Sequence, residues 1–161
     1  MKINYRSTIA LIISVALAQT AGILGSIVTI DSIGTWYVGL GKPSFNPPNW
    51  IFGPVWTLLY TLMGISAWLL WSKRKQPEVR KILWLYGSHL AVNTLWSFVF
   101  FGWHRLDLAF LVIIILWTMI ACLILLIKRY SLIAAWLLLP YLLWVSFATL
   151  LNYSLWQLNS L

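Results

Sequence analysis

The stretch LDLAFLVIIILWTMIACLILLI, from Leu106 to Ile127, is apolar along nearly its whole length and carries one charge, Asp107, near its start. A helix needs about 20 residues to cross the hydrocarbon core of a bilayer. The stretch therefore predicts a transmembrane helix. Outward from it, four more apolar runs of similar length occur, at 8–30, 50–71, 82–102 and 132–156.

The composition of the whole chain agrees with this reading. Its 161 residues are 61% hydrophobic and 9% charged, whereas soluble domains carry about 25% charged residues. The alternating pattern of a membrane β-barrel is absent. We predict an all-α integral membrane protein, a bundle of five transmembrane helices forming a single domain over 1–161, with one long connecting loop at 31–49.

Basic residues are unevenly distributed between the two ends of the predicted bundle. Nine lie at the N-terminus or in the second and fourth connections, namely Lys2, Arg6, Lys73, Arg74, Lys75, Arg80, Lys81, Lys128 and Arg129. Only Lys42 and Arg105 lie on the other side. Because cytoplasmic loops are enriched in Lys and Arg, we expect a cytoplasmic N-terminus and a C-terminus on the opposite side. Membrane orientation thus explains the net charge of +8 without nucleic acid binding.

Acid–base catalysis finds little support in the sequence. The three acids, Asp31, Glu78 and Asp107, lie far apart along the chain and outside the middle of every apolar run. Glycine-rich phosphate loops, Ser-His-Asp sets and zinc-binding HExxH motifs are also missing. Since enzymes of this kind need titratable groups placed together, the pattern argues against a conventional hydrolase, a transferase or an ion-coupled transporter.

Two predicted helices carry aromatic residues at helical spacing. In the second run these are Phe52, Trp56 and Tyr60, and in the fifth run Trp136 and Trp144 lie on either side of Pro140. Residues four apart share one face of a helix. Core packing explains one such stripe. Two stripes, with the proline-rich segment KPSFNPPNW at 42–50 leading into the one on the second run, favour a pocket for a flat hydrophobic ligand.

The third run supplies polar side chains inside the membrane. Asn93 is costly there unless it has a partner, so it should face the interior and bond either a neighbouring helix or a ligand. His89 is a weak candidate for a metal or haem ligand, and a neutral histidine bonded within the bundle is the alternative. Gly87 and Ala91 form a small-xxx-small pair that lets helices approach closely, which makes this face the candidate homodimer seam.

Three segments in order resemble the translocator protein/tryptophan-rich sensory protein (TspO) family. They are WYVGLGKPSFNPPNWIFGPVWTLLYTLMG from residue 36, LAVNTLWSFVFFG from residue 90 and PYLLWVSFATLLNYSLWQLN from residue 140. The resemblance implies a five-helix bundle, often a homodimer, whose cavity is closed by the first loop. It also implies a membrane-embedded binding or sensory protein for tetrapyrroles such as protoporphyrin IX and haem, for sterols, and for similar flat apolar ligands.

The family motifs extend to particular residues of this chain. Those matching its ligand-binding positions are Trp36, Trp50, Phe52, Trp56, Tyr60, Asn93, Trp96, Trp136 and Trp144. Trp56 and Trp144 match positions tied to porphyrin chemistry, which makes them the candidate catalytic residues. The resemblance implies a tetrapyrrole as ligand and no required cofactor. A bacterial cell membrane is the expected location.

Alternative functions stay open from the resemblance. They are a light- and oxygen-dependent porphyrin-degrading enzyme, a transporter of tetrapyrroles or sterols, and a sensory partner of another membrane protein. Tyr153 is not followed by the basic residue of the sterol-binding pattern, so a cholesterol role lacks support. Phe98 stands where the family often has proline, which predicts a third helix with less bending.

Overall fold

The computed structural model describes residues 5–160, and within that range every regular element is helical. The α-helices are α1 Tyr5–Ile33, α2 Phe52–Trp71, α3 Pro77–Ser97, α4 Leu106–Ile127, α5 Leu132–Trp136 and α6 Leu139–Leu158. With α5 and α6 forming one broken segment, they make a bundle of five helical segments. Four of these are long and apolar enough to cross a membrane. The prediction of an all-α membrane bundle is confirmed.

The third segment differs most from its predicted range. α3 begins at Pro77, whose fixed φ suits the first helical position, so its first turns carry Glu78, Arg80 and Lys81. Regular α-helix ends at Ser97, and the chain continues as a π-helix from Phe98 to Gly102. The segment thus changes pitch at Phe98 although no proline is present there. Short π-helical segments of this kind, known as π-bulges, are frequent at functional sites.

The expected single helix at 132–156 is wrong in one respect, because the segment breaks between α5 and α6. Pro140 lacks an N–H, and its ring clashes with the carbonyl four residues earlier, that of Trp136. The helix accordingly ends at Trp136 and starts again at Leu139. The spacing alone predicted that Trp136 and Trp144 share one continuous helical face, and this prediction is wrong because the helix is interrupted between them.

Close packing holds α1 and α2 together in the half of the bundle away from the long loop. A Cβ at Gly64 of α2 would lie 2.5 Å from the Cα of Val15 in α1, so only glycine allows the two backbones to approach so closely. Nearby, the buried Ser66 hydroxyl donates to the carbonyl of Ala134 at 2.8 Å. This half of the bundle is dense, and the open space lies in the other half.

Two contacts tie the loop between α1 and α2 to the rest of the bundle. Asn159 accepts a hydrogen bond from the Gly41 N–H at 2.9 Å and donates from its side chain to the Gly41 carbonyl at 3.0 Å. The indole of Trp36 stacks on the imidazole of His104, with ring centroids 4.2 Å apart. His104 has a φ of 55°, an unusual conformation for a residue with a side chain. These contacts hold the loop over the end of the bundle.

Candidate ligand-binding site

A cavity of about 380 Å³ lies beneath the loop, between α1, α2, α6 and the outer part of the third segment. Its volume falls in the range of about 300 to 1,000 Å³ typical of small-molecule sites. Eight aromatic side chains contribute to its walls, namely Tyr37, Phe52, Trp56, Tyr60, Trp96, Phe100, Phe101 and Trp144. None of the lining residues is charged, so the cavity suits a flat and largely apolar molecule.

The α1 wall of the cavity contains two glycines at close contacts with other helices. A Cβ at Gly22 would lie 2.4 Å from the ring of Tyr60, and one at Gly25 would lie 2.8 Å from the hydroxyl of Ser97. α1 can therefore approach both α2 and α3 while Ser26 and Thr29 face the cavity. This wall was missed by sequence reasoning, although two glycines three residues apart in an apolar run are the signal that was available.

Asn93 is engaged by two tyrosines. The hydroxyl of Tyr60 donates to Asn93 Oδ1, and Asn93 Nδ2 donates to the hydroxyl of Tyr141 at 2.9 Å. Asn93 is buried and lies behind the cavity wall, whereas the Tyr60 ring lies on it. The sequence predicted that Asn93 bonds either a neighbouring helix or a ligand, and in the structure it bonds neighbouring helices. A direct ligand contact for Asn93 stays a prediction that this geometry does not favour.

A second buried amide orients Trp96. The indole N–H of Trp96 donates to Asn152 Oδ1 at 3.1 Å, and Asn152 Nδ2 donates to the carbonyl of Leu106 at 2.9 Å. The Trp96 ring is thereby fixed against the cavity with its polar edge turned toward α6. Sequence reasoning missed Asn152, because its hydrogen-bond partners lie on other helical segments and cannot be identified from the residues around it in the sequence.

The other two cavity tryptophans keep their N–H groups free. Trp56 packs with its ring centroid 5.5 Å from that of Tyr60, and Trp144 lies 6.2 Å from Phe52 in an edge-on arrangement. Neither indole N–H has a hydrogen-bond partner among residues 5–160. Trp56 and Trp144 therefore contribute aromatic surface to the cavity while their indole donors are unused within the protein. These are also the two residues that the family resemblance marked as catalytic candidates.

Besides Asn93, three predicted ligand contacts lie away from the cavity lining. Trp36 is held between His104 and Phe100, whose ring centroid is 5.8 Å from its own. Trp50 is 73% exposed and Trp136 is 62% exposed, and neither lines the cavity. Their role as ligand contacts stays a prediction. The structure gives Trp36 a different task, which is to anchor the covering loop.

His89 lies inside the bundle, outside the cavity lining. Its Nδ1 is 2.5 Å from the carbonyl of Tyr86, and its Nε2 is buried without a hydrogen-bond partner. No group of three His, Cys, Asp or Glu side chains suitable for a metal ion occurs within the described part of the chain. A metal- or haem-binding role for His89 stays a prediction.

The sequence of this chain is similar to those of known proteins over most of its length. A family model described as the TspO/MBR family matches residues 14–157, a range that contains every residue lining the cavity. The "Tryptophan-rich protein TspO" of Archaeoglobus fulgidus is 40% identical over 150 residues, covering 93% of this chain and 97% of that protein. The "Translocator protein" of Homo sapiens is 38% identical over 126 residues, with 77% and 75% covered. The "Tryptophan-rich sensory protein" of Cereibacter sphaeroides is 37% identical over 124 residues, with 77% of each chain covered.

Proposed function

This chain belongs to the TspO/MBR family of integral membrane proteins, and we propose that it is a membrane-embedded receptor for tetrapyrroles and similar flat apolar molecules. The observation that carries the proposal is the uncharged aromatic cavity in which the indole N–H groups of Trp56 and Trp144 are unused. A macrocycle presents two flat faces for stacking against these rings. Its ring nitrogens or carbonyl groups can accept the two hydrogen bonds.

The covering loop supports this proposal by limiting the entropy lost on binding. Gly41 is bonded twice to Asn159, and Tyr37 is buried with its hydroxyl donating to Asn46 Oδ1 at 2.6 Å. A loop that is already ordered before binding loses little conformational freedom when the ligand arrives. Affinity can then come from stacking and from the two indole donors.

The test is titration of detergent-purified protein with protoporphyrin IX in the dark, following both tryptophan quenching and the porphyrin absorption band. Trp56→Phe and Trp144→Phe keep an aromatic ring but remove the N–H, and each should weaken binding about fivefold, which corresponds to one hydrogen bond of about 1 kcal/mol. Trp84→Phe is the matched control, because Trp84 is 79% exposed on α3 and does not line the cavity. Equal affinities for all three variants and the parent would refute the proposal.

A porphyrin-degrading activity is the second candidate function. The observation that favours it is that both redox-active indoles predicted as catalytic line one cavity that has no acid or base. The oxidant would be dioxygen, with light exciting the bound porphyrin. Illumination in air should then replace the porphyrin band with a new pigment band in the parent and in Trp84→Phe. Equal bleaching in Trp56→Phe and Trp144→Phe would refute the activity, whereas unchanged spectra in every sample would leave a receptor without catalysis.

We also propose a homodimer formed through the outer face of α3. Gly87 and Ala91 are exposed there, and a Cβ at Gly87 would meet no atom within 4 Å, so a second helix can approach closely. Substituting Gly87→Leu should convert the dimer to a monomer, measured by light scattering in detergent. The same substitution at the exposed loop residue Gly39 is the control. A parent protein that is already monomeric would refute the dimer.

The proposed orientation places the N-terminus in the cytoplasm and the C-terminus on the other side of a bacterial cell membrane. The connections that follow α2 and α4 contain the exposed Lys73, Arg74, Lys128 and Arg129 and should face the cytoplasm. In a Cys122→Ser background, a membrane-impermeant maleimide should label Ser44→Cys but not Ser72→Cys in intact cells. The reverse labelling would invert the orientation.

A further inference from the structure

The end of the bundle opposite the long loop carries an exposed basic surface. It consists of the connection between α2 and α3, the first turn of α3 and the connection between α4 and α5. Seven cations are exposed there, which are all the Lys and Arg residues of 73–81 and 128–129. Glu78 is the only acid in the same stretches. The protein itself therefore leaves most of this positive charge unbalanced.

Two of the seven cations hold the basic surface together. Lys73 Nζ donates a hydrogen bond to the main-chain carbonyl of Tyr130, so the connection after α2 is joined directly to the connection after α4. Arg74 donates to the carbonyl of Trp71 at 3.1 Å, and its guanidinium lies 4.7 Å from the centroid of the Trp71 ring. The cations of both connections therefore belong to one surface.

The other five cations have no partner within the described part of the protein. Between residues 5 and 160, no side-chain hydrogen bond or ion pair is formed by Lys75, Arg80, Lys81, Lys128 or Arg129. Glu78 neutralises none of them, because the one ion pair among these described residues joins Arg105 to Asp107. Five exposed side chains on one surface are thus free to bind an anion from outside the chain.

The depth of the basic surface matches the headgroup layer of a bilayer. α2 ends at Trp71 and α4 ends at Ile127, so the cations directly follow two segments that are long enough to cross the hydrocarbon core. Trp71 and Trp84 are exposed at this end, and exposed indoles favour the boundary between hydrocarbon and headgroups. Arg80 lies one turn before Trp84 on the same face of α3. The unpaired cations therefore lie at the level of the lipid phosphates.

We propose that the basic surface binds the headgroups of anionic phospholipids. Ammonium and guanidinium groups form charge-assisted hydrogen bonds with phosphate oxygens, and an anionic headgroup brings no cation of its own to compete for them. Lipid is favoured over a soluble anion or an acidic protein segment because the cations lie at headgroup depth. The inference is independent of what the cavity binds and of which side of the membrane the surface faces.

Lipid retention tests the inference with the full-length protein. The protein is reconstituted in vesicles that contain equal amounts of phosphatidylglycerol and phosphatidylcholine with the same acyl chains. It is then extracted in a mild detergent, and the lipids that remain bound are quantified. The parent should retain phosphatidylglycerol about three- to tenfold over phosphatidylcholine, as expected of one or two exposed ion pairs for each lipid. Equal retention of the two lipids would overturn the inference.

A neutral variant assigns the preference to the five unpaired cations. It combines Lys75→Gln, Arg80→Gln, Lys81→Gln, Lys128→Gln and Arg129→Gln, and it keeps Lys73 and Arg74, whose contacts hold the surface together. This variant should retain the two lipids equally. The matched control exchanges Lys for Arg and Arg for Lys at the same five positions, and its preference should lie within about twofold of that of the parent. A neutral variant that selects phosphatidylglycerol as strongly as the parent would overturn the inference, and the apparent Tm of both variants verifies their folding.

Salt and soluble anions provide tests that need no variant. At about 1 M NaCl the Debye length is about 3 Å, so the preference of the parent for phosphatidylglycerol should largely disappear. A preference that persists in this salt would mean that charge does not select the lipid, and the inference would be overturned. If inorganic phosphate at millimolar concentration or poly-glutamate displaces phosphatidylglycerol, the surface belongs to a soluble anion or to an acidic protein segment, and the assignment to lipid is wrong.

Discussion

Replacing Asn93 by leucine should destabilise the protein through the two tyrosines that it joins. The substitution keeps the side-chain size but removes the acceptor for the Tyr60 hydroxyl and the donor to the Tyr141 hydroxyl. Hydrogen bonds between membrane helices contribute about 0.6 kcal/mol each on average, while a buried polar group left without a partner costs about 1 to 3 kcal/mol. With two hydroxyls affected in a dry interior, we expect a loss of about 2 to 4 kcal/mol.

The assay is the apparent Tm of the purified protein in detergent. For a chain of this size, 1 kcal/mol corresponds to about 2 to 4 °C, so Asn93→Leu should lower the apparent Tm by about 4 to 16 °C. Asn49→Leu is the matched control, because Asn49 is exposed and its side chain has no hydrogen-bond partner. Adding Tyr60→Phe to Asn93→Leu removes one stranded hydroxyl and should recover part of the loss. If Asn93→Leu unfolds no earlier than Asn49→Leu, the reasoning about this network is refuted.

Three other predictions follow from the packing and the loop. Gly64→Ala should lower the free energy of unfolding by about 1 to 3 kcal/mol through overpacking, as measured by apparent Tm. Gly53→Ala is the control and should not change the Tm, because Gly53 has open space around it. Equal Tm values for the two variants would contradict the close approach of α1 and α2. Asn159→Ala should release Gly41 and raise the rate of proteolysis in the 34–48 loop several-fold, and an unchanged rate would show that other contacts hold the loop. Burial raises the pKa of Tyr37 to about 12, with the hydrogen bond to Asn46 acting in the opposite direction. The contribution of neutral Tyr37 to stability is thus complete below the ordinary tyrosine pKa of about 10 and declines as the pH rises toward 12. The difference in Tm between the parent and Tyr37→Phe should therefore be constant near neutral pH and shrink in strong alkali.

Local sequence features predicted the class of the protein and one wall of its cavity. The bounds of α4 coincide with the apolar run from Leu106 to Ile127, because the thickness of the bilayer sets the length of a crossing helix whatever its neighbours are. The spacing of Phe52, Trp56 and Tyr60 likewise placed these three side chains on one face, and all of them line the cavity. Helical period is a local property, so no tertiary information was needed.

The remaining parts of the site depend on contacts between segments far apart in the chain. Asn93 could have faced a ligand or another helix, and only the rotation of α3 against α2 and α6 decided that it bonds Tyr60 and Tyr141. The role of Asn152 in holding Trp96 depends on residues 56 positions apart. Pro140 was a local signal for the helix break, but the prediction followed the regular spacing of the tryptophans instead.

The sequence by itself determined that this chain is a helical membrane protein with aromatic helix faces, since length, apolarity and period act within each segment. Only the tertiary structure decided which aromatic rings meet around one cavity, and that Trp56 and Trp144 keep free donors there while Trp96 does not. It also decided that Trp36 anchors the loop by stacking on His104 and that Trp50 and Trp136 are exposed and lie outside the cavity lining. The physical reason is that these outcomes depend on how closely and at what rotation the helices pack, which the glycines of α1 and α2 permit but do not specify.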